Sequence, residues 1–215
     1  MNQIAERIAA CGVVPVVVLN HPDEALPVAK ALIAGGLPVA EVTFRTDAAE
    51  EAIRRMVKAY PDMLVGAGTV LTVDQADRAL AAGAQFIVAP GFDPEIVDHC
   101  LAKGAPVFPG CTTATEVAQG VKRGLYALKF FPAEQCGGVA TIKALCAAYV
   151  GVRFMPTGGV GPGNLAQYLA CDKILACGGS WMVKGDLIRT GRFDEIERLT
   201  KEAVGIVRSI RNSEL

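Results

Sequence analysis

The chain has 215 residues, 52% hydrophobic and 20% charged, which provides material for a packed core and argues against disorder. The 21 Lys+Arg against 22 Asp+Glu leave a net charge of −1, so no basic excess exists to neutralise a nucleic-acid backbone.

From the N-terminus onward, helical stretches alternate with short apolar runs rich in β-branched residues. The first run is VVPVVVL (13–19). A helix predicted over 23–34 follows, with Ala25, Leu26, Val28, Ala29, Leu32 and Ile33 at helical spacing. Next come PVAEVTF (38–44) and a helix over 47–59 carrying Ile53, Met56 and Val57. The later runs are MLVGAG (63–68), AQFIVAP (84–90), APVFPG (105–110), LYALKFF (125–131), VRFMPTGG (152–159) and KILACGG (173–179). A last helix spans 193–210, where Phe193, Ile196, Leu199, Ala203, Ile206, Val207 and Ile210 recur. Asp23, Asp47, Asp74, Asp93 and Thr113 stand where helix N-caps belong.

Each run follows a break at Gly12, Gly36, Pro61-Asp62, Gly83, Gly104, Gly124, Gly151 or Asp172. Successive breaks lie 24, 25, 22, 21, 20, 27 and 21 residues apart. Glycine closes a helix in a left-handed conformation, so the repeat reads helix, glycine, strand. Strands apolar on both faces belong in a parallel sheet covered by helices. Eight such units average about 27 residues, near the lower limit for a (β/α)₈ TIM barrel. The expected fold is therefore α/β, a single barrel domain over 1–215. A doubly wound open sheet is the rival, and its dinucleotide version lacks the Gly-x-Gly-x-x-Gly turn after the first strand.

Composition narrows the chemistry further. Two histidines (His21, His99) and three serines (Ser180, Ser209, Ser213) offer little to a Ser-His-Asp hydrolase or a His-rich metal site. Seven cysteines without a Cys-x-x-Cys read as reduced, core-filling thiols, as in a cytoplasmic protein. The run 12–19 follows Glu6 and precedes no small-residue cleavage site, so it is expected to be a buried strand and not a signal peptide. No apolar run reaches the ~18 residues that a membrane span needs.

In a barrel of this kind the chemistry lies at the carboxyl ends of the strands. Glu41 and Lys129 each interrupt an apolar run. Desolvation lowers a lysine pKa toward a nucleophilic amine and raises a carboxylic acid into a range useful for proton transfer. Together they describe an imine-forming acid/base site or, equally, a structural ion pair. Thr157-Gly158-Gly159 and Gly178-Gly179-Ser180 follow the seventh and eighth runs, where such barrels hold phosphate. Arg45 stands where it can fork onto a carboxylate, or else lies on the surface. Thr69 brings a hydroxyl to the rim, and Pro90-Gly91 shapes a loop. His99 is expected to be exposed on a helix, His21 to be non-catalytic, and Trp181 and Met182 to pack under the rim or at a subunit contact. Glu41 is the only carboxylate within the runs, so no metal site is expected.

Glu41-Val-Thr-Phe-Arg45, Gly66-Ala-Gly-Thr69-Val, Ala89-Pro90-Gly91, Lys129-Phe-Phe-Pro-Ala-Glu134, Pro156-Thr-Gly-Gly159 and Gly178-Gly-Ser-Trp-Met182 stand in order between about residues 4 and 205. With this set the chain resembles the bacterial 2-keto-3-deoxy-6-phosphogluconate aldolases, many of which also act on 4-hydroxy-2-oxoglutarate. The resemblance implies a metal-free, cofactor-free class I aldolase, homotrimeric, acting on a phosphorylated 2-keto-3-deoxy sugar acid and releasing pyruvate, with no nucleic-acid or membrane partner. It implies that Lys129 forms the Schiff base and Glu41 is the general acid/base. Arg45, Thr69, Pro90, Phe131 and Thr157 would bind substrate, and Gly158, Gly159, Gly179 and Ser180 its phosphate. The related phosphogalactonate aldolases typically carry Asn-Ser around Arg45 and alter the Gly-Ser-Trp stretch. This chain departs from the family pattern at Phe44 and at Cys111-Thr112, changes that would retune substrate preference. The rival readings are a phosphogalactonate aldolase, a sugar-phosphate isomerase or epimerase, and a non-catalytic sugar-phosphate binding protein.

Overall fold

Short buried strands and helices alternate along residues 3–211, the residues described by the structure, a computed structural model. The two ends of the expected domain, residues 1–2 and 212–215, lie outside the described residues. Eight strands are present: β1 (Val13–Val17), β2 (Val39–Thr43), β3 (Leu64–Gly68), β4 (Ile87–Val88), β5 (Val107–Phe108), β6 (Ala127–Phe130), β7 (Arg153–Pro156) and β8 (Cys177–Gly179). Each falls inside one of the eight apolar runs. The helices are α1 (Gln3–Cys11), α2 (Ala25–Ala34), α3 (Ala49–Ala59), α4 (Val73–Ala81), α5 (Pro94–Ala102), α6 (Ala114–Lys122), α7 (Gly138–Ala148), α8 (Leu165–Leu169), α9 (Gly185–Arg189) and α10 (Phe193–Arg211).

All pairings are parallel. A curled six-stranded sheet runs β5-β4-β3-β2-β1-β8, and β6 and β7 form a second sheet. Isolated parallel bridges pair Gly110 with Lys129, Phe154 with Ile174 and Thr157 with Gly178. The ladders thus form sheets of six and two strands, where the sequence reading expects one ring of eight. The reason is local: β4 and β5 are only two residues long, and past Pro109 the chain meets β6 through the single Gly110–Lys129 bridge.

Every residue of β1, β2 and β3 is buried, including Glu41 and Thr43. Helices cover the outer face, and their apolar stripes join the strands in one contiguous core cluster. The glycine breaks behave as their chemistry requires: Gly12, Gly36, Gly83, Gly104, Gly124 and Gly151 all have positive φ. Parallel strands joined by helical crossovers place all strand C-termini on one side, and the polar residues gather there.

Three expected caps are corrected. Asp93 and Thr113 do cap α5 and α6, with Glu116 completing a capping box at Thr113. For α4 the cap is Thr72, whose hydroxyl accepts the Gln75 N–H at 3.1 Å, and Asp74 lies inside the first turn. Asp23 sits in a 3₁₀ turn leading into α2 and pairs with Arg55. Asp47 precedes α3 by two positions, and Ala48 occupies its cap. His99 is also corrected: it is half-buried, with Nε2 2.7 Å from Asp77 Oδ1, because α5 packs beside α4.

All seven cysteines are free, and Cys100, Cys111, Cys146, Cys171 and Cys177 are buried. Burial pushes the Cys100 and Cys146 thiols up to about 11 and Cys111 up to about 12. Little thiolate then exists near neutral pH, and the thiolate is the reactive form. Titration of the native protein with an aromatic disulfide is expected to modify rapidly at most Cys11 and Cys136, the two partly exposed thiols. In denaturant all seven should react. Rapid reaction of more than two in the native state would contradict this packing.

Candidate active site

Glu41 is the central residue of β2 and is fully buried. Lys129, on β6, is 4% exposed. Their side chains meet across the interior, with Lys129 Nζ 3.2 Å from Glu41 Oε1. A charge-assisted bond of this kind offsets part of the cost of removing both groups from water. The backbone of Lys129 is fixed on both sides: its N–H donates to Pro109 O and its carbonyl accepts from the Cys111 N–H, each at 2.9 Å. The ammonium also lies 5.5 Å from the centre of the Phe131 ring.

Glu41 has room because Gly68 faces it. A Cβ at Gly68 would stand 2.1 Å from Glu41 Oε1 and 2.5 Å from Cγ, a separation no side chain tolerates. The second carboxylate oxygen, Oε2, is buried and has no hydrogen-bond partner among the described residues, and the same holds for Thr157 Oγ1. Buried polar atoms in native folds are almost always paired, so these two oxygens are open to a partner from outside the chain.

Beside this pair lies a cavity of about 430 Å³; Lys129 and Glu41 do not line it, but Phe131, whose ring centre is 5.5 Å from Lys129 Nζ, does. The cavity brings together Arg45, Phe131, Thr157, Gly158, Gly159, Gly179 and Ser180. Gly158 and Gly159 have consecutive positive φ of 99° and 79°, a conformation that turns backbone N–H groups toward one side. Gly158, Gly159, Gly179 and Ser180 line the cavity together. Glycine-rich backbone on a concave surface suits an anion.

Arg45 Nε donates to Thr69 Oγ1 at 3.2 Å. Thr69 has φ 54°, the one non-glycine residue with positive φ among the described residues. A β-branched residue there is strained by roughly 1–3 kcal/mol, a cost that structures keep chiefly at functional sites. The structure does not bring Pro90 into the Arg45 cavity; it lines a neighbouring one of about 280 Å³ with Val70, Leu71 and Phe92. Phe44, one residue past β2, lies under the Arg78 guanidinium, 5.9 Å from the ring centre, and does not line the cavity. Met182 is fully buried, and Trp181 packs over Gly179, where a Cβ would fall 1.8 Å from its ring. Sequence reading missed Lys184 and Asp186, which also line the cavity. Their proximity in sequence to Gly179-Ser180 was the available signal. Among the described residues no three His, Cys, Asp or Glu side chains converge as a metal-binding set.

A buried amine beside a carboxylate is an arrangement able to form an imine with a small carbonyl compound. A family model described as KDPG and KHG aldolase matches residues 4–199, and the chain belongs to this aldolase family. It is 49% identical to the 2-dehydro-3-deoxy-phosphogluconate aldolase of Treponema pallidum, over 96% of this chain and 99% of that protein. Among solved structures it is similar to the KDPG aldolase of Legionella pneumophila with pyruvate captured at low pH as a covalent carbinolamine intermediate (TM-score 0.91, 37% identity, 94% of this chain and 98% of that one). It is also similar to the Zymomonas mobilis enzyme with 3-phosphoglycerate (TM-score 0.88, 41% identity, 98% and 99%).

Removing one member of a buried ion pair typically costs about 3–5 kcal/mol, because the other is left without compensation, whereas apolar replacement of both is often neutral. Lys129→Met and Glu41→Leu are each expected to lower the stability read by urea unfolding. The double variant should be more stable than the sum of the two single losses implies. Strict additivity would mean that the two side chains are not coupled.

Proposed function

We propose that this chain is a class I aldolase that cleaves 2-keto-3-deoxy-6-phosphogluconate to pyruvate and glyceraldehyde 3-phosphate, and also 4-hydroxy-2-oxoglutarate to pyruvate and glyoxylate. The observation that carries this reading is the buried contact of 3.2 Å between Lys129 and Glu41, with Glu41 Oε2 unpartnered among the described residues.

In this mechanism Lys129 passes a proton to Glu41 and attacks the 2-keto carbon as a neutral amine. Glu41 returns that proton to the carbinolamine hydroxyl, which leaves as water, so a protonated imine and the Glu41 carboxylate remain. Glu41 takes the proton of the 4-hydroxyl while the bond between the third and fourth carbons breaks, and the electron pair flows into the imine. The aldehyde departs, the resulting enamine takes a proton back from Glu41 through water, and hydrolysis frees pyruvate and the amine. Arg45 and Thr69 hold the carboxylate end, with Thr157 and Phe131 along the carbon chain. Gly158, Gly159, Gly179 and Ser180 take the phosphate through backbone N–H groups. Fixing both ends of the substrate orients the scissile bond, where positional binding lowers the barrier most. The captured carbinolamine in the Legionella relative supports the covalent step.

The same reading extends to architecture. The bridges from Gly110 to Lys129 and from Thr157 to Gly178 support closure of the two sheets into one eight-stranded barrel, a single domain. Homotrimeric assembly follows from the family resemblance alone. The free cysteines suit a cytoplasmic location, and no described helix is long and apolar enough to cross a membrane.

Borohydride reduction in the presence of pyruvate should add a reduced pyruvyl group to the peptide containing Lys129. Label elsewhere, or none, would exclude the imine and leave the isomerase or the binding protein as the reading. Glu41→Gln should still trap pyruvate but cleave at least about 100-fold more slowly, as loss of a general acid/base implies; wild-type turnover would remove Glu41 from the reaction.

Dialysis against a strong chelator should leave activity intact. A loss restored by a divalent metal would replace the imine mechanism with a metal-dependent one.

A further inference from the structure

Glu134 ends the Lys129-Phe-Phe-Pro-Ala-Glu134 motif, yet no step above employs it. Its carboxylate Oε1 accepts the hydroxyl of Tyr168, an α8 residue that is 1% exposed. Burial, and then this bond, push the Tyr168 phenol above its usual range, so it remains a donor. Glu134 grips the Gly158–Gly159 turn twice. Its N–H donates to Gly158 O at 3.1 Å, beside the Ala133 N–H on Thr157 O at 2.8 Å. Its side-chain stem lies so close to Gly159 that a Cβ there would fall 2.4 Å from Glu134 Cγ. The carboxylate points instead into a separate cavity of about 310 Å³ with Gly137, Gly138, Gln167 and Tyr168. Glu134 does not line the cavity that holds Arg45 and Ser180.

We propose that Glu134 and Tyr168 are positioning residues that set the Gly158–Gly159 turn for the phosphate end of the substrate. Tyr168 anchors the Glu134 carboxylate on α8, which braces the turn and keeps a negative charge away from the anion. The inference rests on the aldolase reading and deepens its phosphate end.

The test compares Tyr168→Phe, Glu134→Ala and Glu134→Gln on phosphorylated and unphosphorylated substrates. Loss of one hydrogen bond of this kind corresponds to a change of about tenfold. Tyr168→Phe and Glu134→Ala should raise KM for the phosphorylated substrate about 5- to 20-fold, with kcat and KM for 4-hydroxy-2-oxoglutarate within about twofold. Glu134→Gln keeps an acceptor for Tyr168 and should behave nearly as wild type. An unchanged KM for the phosphorylated substrate, or an equal rise for both substrates, would overturn the proposal. Binding of inorganic phosphate, followed by NMR titration, reads the turn without turnover: weaker binding in Tyr168→Phe supports the brace, and equal binding refutes it. Failure of the aldolase reading itself would be seen separately, as absence of pyruvate trapping in the wild-type protein.

Discussion

The site is organised by one buried ion pair. Lys129 and Glu41 lie 88 positions apart in sequence and meet at 3.2 Å in an interior whose other buried side chains, among the described residues, are apolar apart from Thr43, Thr157 and Thr200. Neither would be stable there alone, since an isolated buried charge costs several kcal/mol. Each makes the other admissible, and the pair leaves one carboxylate oxygen unpartnered among the described residues. That open acceptor leaves the pair able to take up a further proton or hydrogen bond, as the proposed reaction requires.

Glycine supplies the space around this pair. At Gly68 the absence of a side chain admits the Glu41 carboxylate, and at Gly178 it admits the Thr157 hydroxyl, which a Cβ would approach to 2.3 Å. At Gly158 and Gly159 it permits consecutive left-handed backbone conformations in the cavity wall. The strand ends thus carry little side-chain bulk, and the cavity forms from backbone as much as from side chains. Such a surface fits the phosphate end of the substrate proposed above, with backbone as well as cationic groups available to an anion.

Much of the fold was legible in the sequence. The recurring glycine breaks marked helix ends, and the apolar runs marked strands buried on both faces. The limits of that reading are instructive. Thr72 rather than Asp74 caps α4, because capping depends on which residue leaves helical geometry, and composition does not reveal that. His99 looked like a surface residue on its own helix, but Asp77 of the neighbouring helix partly covers it. Phe44 stood within the Glu41–Arg45 motif, yet it lies one residue past β2, under Arg78 and outside the cavity lining.

Sequence alone determined the alternation of helix and strand, the apolar character that demands a covered parallel sheet, and the two charged residues that violate that character. These follow from local conformational preference and from the cost of burying polarity, which act residue by residue. Tertiary structure decided which oxygen of Glu41 holds Lys129, that Pro90 faces a different cavity from Arg45, and that Tyr168 anchors Glu134. Those outcomes depend on strand register and on helices docked from distant parts of the chain. Distances of a few ångströms between segments far apart in sequence are set only when the whole core packs.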